Sequence, residues 1–473
     1  MNARKFFVTL LIAALGIAAL PAAAQEEVVF PILLPETVAG GNDVTIVVAG
    51  LPSEAQPEAR EGWLAQVQRF MDQYPNVTVQ GLEFGYTPEA FMALVAGGQV
   101  PTLFSVFYTE PAILIPMGVA ADLTPLFEEY GLTEMFNPTQ LGVVTGADGG
   151  IYGIPGGGYA QGLAYNIPLL QEAGYEGPPA TFDEMAEMCQ ALTDRDANRA
   201  GFIFWSDGSG GAGWHYTNFA YGFGADPDDL VRINEDGTYT ATFGEGPAVE
   251  AMQFLKDLRW EYNCLPLALA TGDDLIPALP TGRAAMAMMP GDQLGRIRLD
   301  YPDQLADFGY APMPAGPEGI RTLTGGSASM ISAAATPEEQ EAAFVFQIWR
   351  QMNTNPDELI AGFELQNETQ AAVGIPFLKI YAGEYQEALE KLQEPYVVMP
   401  VENYTAFNEA IESGAVTLVP EPPQAQSYYV AVGAVLSEVL TDQNADVAAL
   451  MADAAAAFQS GVLDLLDPAP TAQ

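Results

Sequence analysis

Residues 149 to 185 read GGIYGIPGGGYAQGLAYNIPLLQEAGYEGPPATFDEM. Near the end of this stretch Thr181 stands before Phe182-Asp183-Glu184. A hydroxyl at the cap position with an acid three residues on predicts a helix start closed by a capping box. Gly156-Gly157-Gly158 suits either close backbone approach or a hinge. It is no nucleotide loop, because it lacks the Lys-Ser/Thr ending that grips phosphates.

On the N-terminal side, Val28 to Asn42 is a Pro/Gly-containing leader, and Val44 to Val48 is a β-branched run that predicts a buried strand. Trp63, Val67, Phe70 and Tyr74 follow at helical spacing, and Pro75-Asn76 stops that helix. Val77 to Leu82 returns as a strand, Thr87-Pro88 opens a helix that Gly97-Gly98 closes, and Leu103 to Phe107 is a third strand. On the other side, Gly201 to Trp205, Ala284 to Met289, Phe308 to Pro312 and Ala328 to Ser332 predict strands. Between and beyond them lie the helical patterns Pro247 to Tyr262 and Pro337 to Met352. Past Ala382 the chain reads as mainly helical, ending in the Ala-rich segment Val447 to Phe458. Strand–helix alternation at this spacing implies an α/β architecture with parallel strands.

Composition narrows the setting. Arg4 and Lys5, the apolar run Phe6 to Leu20 and Ala22-Ala23-Ala24 before Gln25 have the layout of a cleaved secretory signal peptide, with an uncleaved anchor as the alternative. No cysteine follows the run, so a lipoprotein is not expected, and no later segment reads as a membrane span. A periplasmic or extracellular location follows. The rest of the chain is too long for one core and suits two or three domains. The net charge is −45, from only 16 Lys and Arg against 61 Asp and Glu. Such a surface repels nucleic acid and anionic lipid; it suits an acidic or a saline medium equally. Cys189 and Cys264, the two cysteines, form either one disulfide or two buried thiols. With one histidine they make no zinc site, and no metal or cofactor is expected. Asp194-Arg195-Asp196-Ala197-Asn198 starts like a calcium loop, but Arg199 replaces the required Gly.

Four stretches carry a resemblance: 149 to 185, LPTGRAAMAMMPGD (279 to 292), APMPAGPEG (311 to 319) and GGSASMIS (325 to 332). In this order they resemble the maltose-binding-protein-like family 1 extracellular solute-binding proteins, with Phe182 where Trp is usual. The resemblance implies a type II periplasmic-binding-protein fold, with two α/β lobes, a multi-strand hinge and the ligand between the lobes. By carry-over, lobe 1 is 43–157 plus 327–382, lobe 2 is 162–322 plus 388–464, and 465–473 is a tail. The crossings fall near Gly156 to Ala164, Thr322 to Ala328 and Tyr381 to Lys391. The implied function is that of a monomeric binding component of an ABC importer. It would take a neutral sugar or oligosaccharide and deliver it to the permease transmembrane subunits, with no enzymatic activity. A polyol, a glycerophosphodiester met by Arg321, or a ferric ion held by Tyr428-Tyr429 are alternative ligands; a secreted carboxylate-dependent hydrolase is the remaining rival.

Sugar pockets need aromatic faces and forked polar groups. Tyr108 and Thr109 follow the third strand, where ligands meet open α/β sheets. Trp205, Trp214 and His215 bracket the glycine-rich loop Ser206 to Gly213. Asp292 and Gln293 follow the Met-rich strand, where relatives often place Trp. Tyr159 and Gln161 fall in the first crossing, Gly326 in the second could offer a backbone N–H, and Tyr429 takes the place of a late ligand-stacking aromatic. For the aromatic candidates core packing is the competing reading, and for Gly326 turn geometry.

Overall fold

The computed structural model describes residues 28–466 and Pro468, apart from Leu33 and Gln370. The secretory leader read in residues 1–24 lies outside the described residues.

In chain order the strands are β1 (Val44–Ala49), β2 (Val77–Leu82), β3 (Leu103–Phe107), β4 (Ile154–Asn166), β5 (Ala200–Ile203), β6 (Val231–Ile233), β7 (Tyr239–Ala241), β8 (Ala284–Pro290), β9 (Phe308–Pro312), β10 (Ile320–Ile331) and β11 (Val416–Val419). β6 and β7 form a small ribbon; the rest make one curled sheet in the order β2-β1-β3-β10-β4-β8-β5, with β9 on β4 and β11 on β10. The expected parallel pairing holds within each half, for β1 with β2 and β3, and for β5 with β8. Where the halves join, pairing is antiparallel, because the long strands β4 and β10 run past each other from Thr324–Ala160 to Ser329–Ile154. Mixed pairing is thus a consequence of crossing and returning.

Local signals explain the ends of the elements. Thr87 Oγ1 accepts the Ala90 N–H at 3.2 Å and Pro88 opens the helix Pro88–Ala96. Thr181 Oγ1 accepts the Glu184 N–H at 3.2 Å, but Glu184 reaches back to the Ala180 N–H at 2.8 Å rather than to Thr181, so the second arm of the box is displaced by one residue. The strand expected over Gly201 to Trp205 ends at Ile203, leaving Trp205 in the following loop.

Three cores form around the sheet. The first joins β1 and β3 (Ile46, Phe104) to the helix Pro337–Gln351 (Phe344, Phe346). The second packs Phe202, Phe219 and Met288 against the helix Ala425–Thr441 through Tyr428 and Leu436. The third, smaller, gathers Ala164, Met289, Tyr310 and Phe407. β4 leaves the first core at Ile154 and enters the others by Leu163, and β10 runs from Leu323 in the second to Met330 in the first. Around the expected third crossing the chain passes more than once. Leu378 lies in the third core, the helix Gly383–Gln393 buries Tyr385 in the first, and Met399 is back in the third.

Cys189 and Cys264 are joined as a disulfide, both fully buried. Contrary to the sequence reading, one helix among the described residues, Val447–Leu465, is long and apolar enough to cross a membrane. Alanine supplies much of that character, and Val447, Met451, Ala455 and Phe458 pack in the second core.

Candidate functional site

Three kinds of element converge on a cavity of about 760 Å³. The end of β3 supplies Phe107, and the paired middles of β4 and β10 supply Gly157, Tyr159, Gly326 and Ser327. The helices Gly210–Gly222, Asp292–Asp300 and Ala425–Thr441 bring Trp214, Asp292 and Tyr429 from their N-terminal ends. Glu421, just past β11, and Phe377 complete the wall. This is where ligands meet open α/β sheets, outside the carboxyl ends of strands.

Glycines let the backbones close. A Cβ on Gly326 would lie 2.0 Å from the Gly157 carbonyl oxygen, and one on Gly158 would lie 2.2 Å from Gln140 Oε1. The Gln140 oxygen is held by the Tyr108 hydroxyl, which donates to it at 2.9 Å. Tyr159 and Trp214 meet edge to face, 5.7 Å between ring centroids, so two aromatic faces stand at right angles in the cavity.

The polar lining is under-satisfied. Asp292 Oδ1, Glu421 Oε2 and Trp214 Nε1 are buried without a hydrogen-bond partner, and the Tyr429 hydroxyl is within reach of the Glu421 carboxyl alone. Burial pushes the Glu421 carboxyl up to about 8; the adjacent Tyr429 hydroxyl opposes this and Glu110 adds to it. Burial likewise raises Asp292, against backbone N–H groups that lower it. The Tyr159 phenol is raised by burial first, then by Glu421 and Asp292 together.

A family model for bacterial extracellular solute-binding proteins matches residues 55–347. The chain belongs to that family. A curated binding protein of Brucella abortus (strain 2308) is 25% identical over 210 residues, which are 43% of this chain and 48% of the relative. The match therefore spans about half the length of that relative. Among solved structures, the maltose-bound MalE3 of T. maritima aligns with a TM-score of 0.62 at 20% identity, covering 89% of this solute-binding protein and 100% of that chain. UgpB from Mycobacterium tuberculosis, in complex with glycerophosphocholine, aligns with a TM-score of 0.61 at 19% identity over 88% of this chain and 98% of its own. These likenesses place the chain in the two-lobed type II periplasmic-binding fold. The family and these neighbours are binding proteins rather than enzymes.

Of the residues singled out from the sequence, the solute-binding protein brings Tyr159, Trp214, Asp292, Gly326 and Tyr429 to the cavity. Trp205 and Gln293 instead line an adjoining cavity of about 750 Å³ that shares Asp292. The Trp205 indole N–H is taken by Asp207 Oδ1 at 2.9 Å, and Gly211 lies against its ring. His215 is fully buried one helix position from Trp214; its Nδ1 accepts the Trp205 backbone N–H at 3.4 Å, and burial lowers its pKa to about 3. The loop expected over Ser206 to Gly213 winds into helix from Gly210, which turns Trp214 outward and His215 inward. Gln161 lies on the same face of β4 as Tyr159 but is fully buried, with both amide atoms unpartnered. Tyr108 backs Gly326 rather than facing the cavity, and Thr109 bonds to Glu110. Glu421 and Phe377 were missed. Glu421 sits in Val419-Pro420-Glu421-Pro422-Pro423, and only its flanking prolines set it apart in the sequence.

Proposed function

We propose that this protein captures a sugar-like, polyhydroxylated solute outside the cytoplasm and hands it to the transmembrane subunits of an importer. The observation that carries this is the pairing of aromatic walls with polar atoms that have no partner inside the protein. Each unsatisfied buried group costs about 1–3 kcal/mol, a cost that a ring of hydroxyls removes while its C–H face lies on Trp214 or Tyr159. The cavity volume falls in the range of small-molecule sites. Lobe closure follows if the solute touches both halves at once, Phe107 and Gly326 on one side and Trp214 and Asp292 on the other.

A glycerophosphodiester fits less well. Arg321, the cation that would meet its phosphate, donates to the Ala225 carbonyl at 3.0 Å and pairs with Asp226, and neither Lys nor Arg lines the cavity. Thermal-shift and small-angle scattering measurements with mono- and oligosaccharides test the proposal. At least one carbohydrate is expected to raise Tm and make the molecule more compact. A broad panel that changes neither would overturn it.

A further inference from the structure

The charge inside the cavity has one sign. Its charged lining residues are Asp292 and Glu421. Behind them Glu110, 7% exposed, stands near enough to repel Glu421. Both Glu421 and Asp292 act on the Tyr159 phenol and raise it further. A Cβ on Gly325 would lie 2.2 Å from the Tyr159 hydroxyl and 3.0 Å from Glu421 Oε1, so phenol and carboxyl converge on one spot. Among the described residues, Asp292, Glu421 and Glu110 enter no salt bridge. The chain does form ion pairs elsewhere, as at Arg321 with Asp226 and Lys379 with Glu390.

Buried carboxylates are ordinarily paired with a cation or driven neutral. Helix N-termini at Gly210 and Asp292 supply partial positive charge, about half a unit each at most. In the free protein Glu421 meets the remainder by holding its proton up to about 8; a bound cation would displace that proton and leave a carboxylate opposite it, which hydroxyls alone would not do. Trp214, Tyr159 and Phe377 line the cavity, and an aromatic face open to it attracts a cation, more strongly once water is excluded.

We infer that the solute carries a cationic centre, a protonated amine on a sugar-like frame, with Glu421 and Asp292 as its counter-ions. The inference rests on the proposed capture of a hydroxylated solute and narrows it to amino sugars and their oligomers, where sequence alone pointed to neutral ones.

Matched pairs provide the test: glucosamine against N-acetylglucosamine, and the glucosamine disaccharide against its diacetylated form, by calorimetry at low and at 0.5 M salt. Each pair shares its sugar frame; acetylation removes the charge but adds bulk, so glucose and its disaccharide, with a hydroxyl in place of the ammonium, serve as neutral partners of matching size. At least one amine is expected to bind ten-fold or more tighter than its acetylated partner, with the gap shrinking in salt. Glu421→Gln and Asp292→Asn should each bring the ratio toward one. Neutral partners binding as well as the amines would overturn the inference while leaving sugar capture intact. Failure of every amine overturns it too, and if the broader carbohydrate panel also fails, the functional proposal falls with it.

Discussion

A Cβ built on Gly213 would lie 1.9 Å from the carbonyl oxygen of Tyr429. The helices Gly210–Gly222 and Ala425–Thr441 therefore touch backbone to backbone where each presents an aromatic side chain, Trp214 and Tyr429, to the cavity. Gly433 repeats the device, its Cβ position 2.3 Å from the Ser209 carbonyl oxygen. Gly213→Ala must push the helices apart, because the clash is with backbone and no side chain can swing away. A loss of about 2–3 kcal/mol is expected by denaturant unfolding, together with weaker solute binding as Trp214 and Tyr429 separate. A variant as stable as the wild type would show that the helices are not packed this closely.

Trp214 lines the cavity while Trp205 is wedged between Gly211 and Gly272 with its indole N–H already bonded. Trp214→Ala should weaken binding of any carbohydrate ligand by about 1–3 kcal/mol, or some five- to 150-fold. Trp214→Phe should recover part of that. Calorimetry with the best-binding sugar decides it, and an unchanged Kd would remove Trp214 from the site.

The architecture was legible because it is written in local signals. The β-branched run at Val44 to Val48 became β1, Thr87-Pro88 became a capped helix start, and the motif from Gly149 to Met185 marked the crossing strand β4. The site was legible where an aromatic, an acid or a crossing glycine stood beside such a signal, as Trp214, Asp292 and Gly326 do. His215 misled because adjacent helix positions point about 100° apart, so the neighbour of a cavity residue faces the core. Glu421 and Phe377 were invisible for the opposite reason. Each lies in an irregular segment that no periodicity orients, and its position is fixed only when β11 and the third core assemble.

The Cys189–Cys264 disulfide closes a sequence separation of 75 residues inside the second core. Loop-closure entropy assigns such a bridge about 4 kcal/mol. Replacing both cysteines by alanine should lower unfolding stability by that order. Because both sulfurs are buried, reductant should leave the native protein unchanged and act only after unfolding begins. Rapid reduction of the folded protein would contradict the buried bridge.

A half-buried carboxyl and a fully buried imidazole give stability a pH optimum. Glu421 is raised from 4.5 to about 8, so the folded protein keeps a proton that the unfolded chain has lost between those values. Stability from this group is full below pH 4.5 and falls as pH rises toward 8, by on the order of 1 kcal/mol per pH unit. Asp292 and Glu110 are shifted in the same direction. His215 works oppositely: lowered from 6.5 to about 3, it stays neutral in the fold while the unfolded chain takes up a proton, so stability falls as pH drops below 6.5. The slopes oppose each other between pH 4.5 and 6.5. Glu421 and His215 nearly cancel there, and Asp292 and Glu110 tilt the balance toward the acid side, so stability should decline below pH 4.5 and more steeply above pH 6.5. Glu421→Gln should melt close to wild type at pH 5 and above it at pH 8, because the amide has no proton to lose. A variant no more stable than wild type at pH 8 would mean that Glu421 ionises freely in the folded protein, and its place as a buried, unpaired carboxyl would have to be given up.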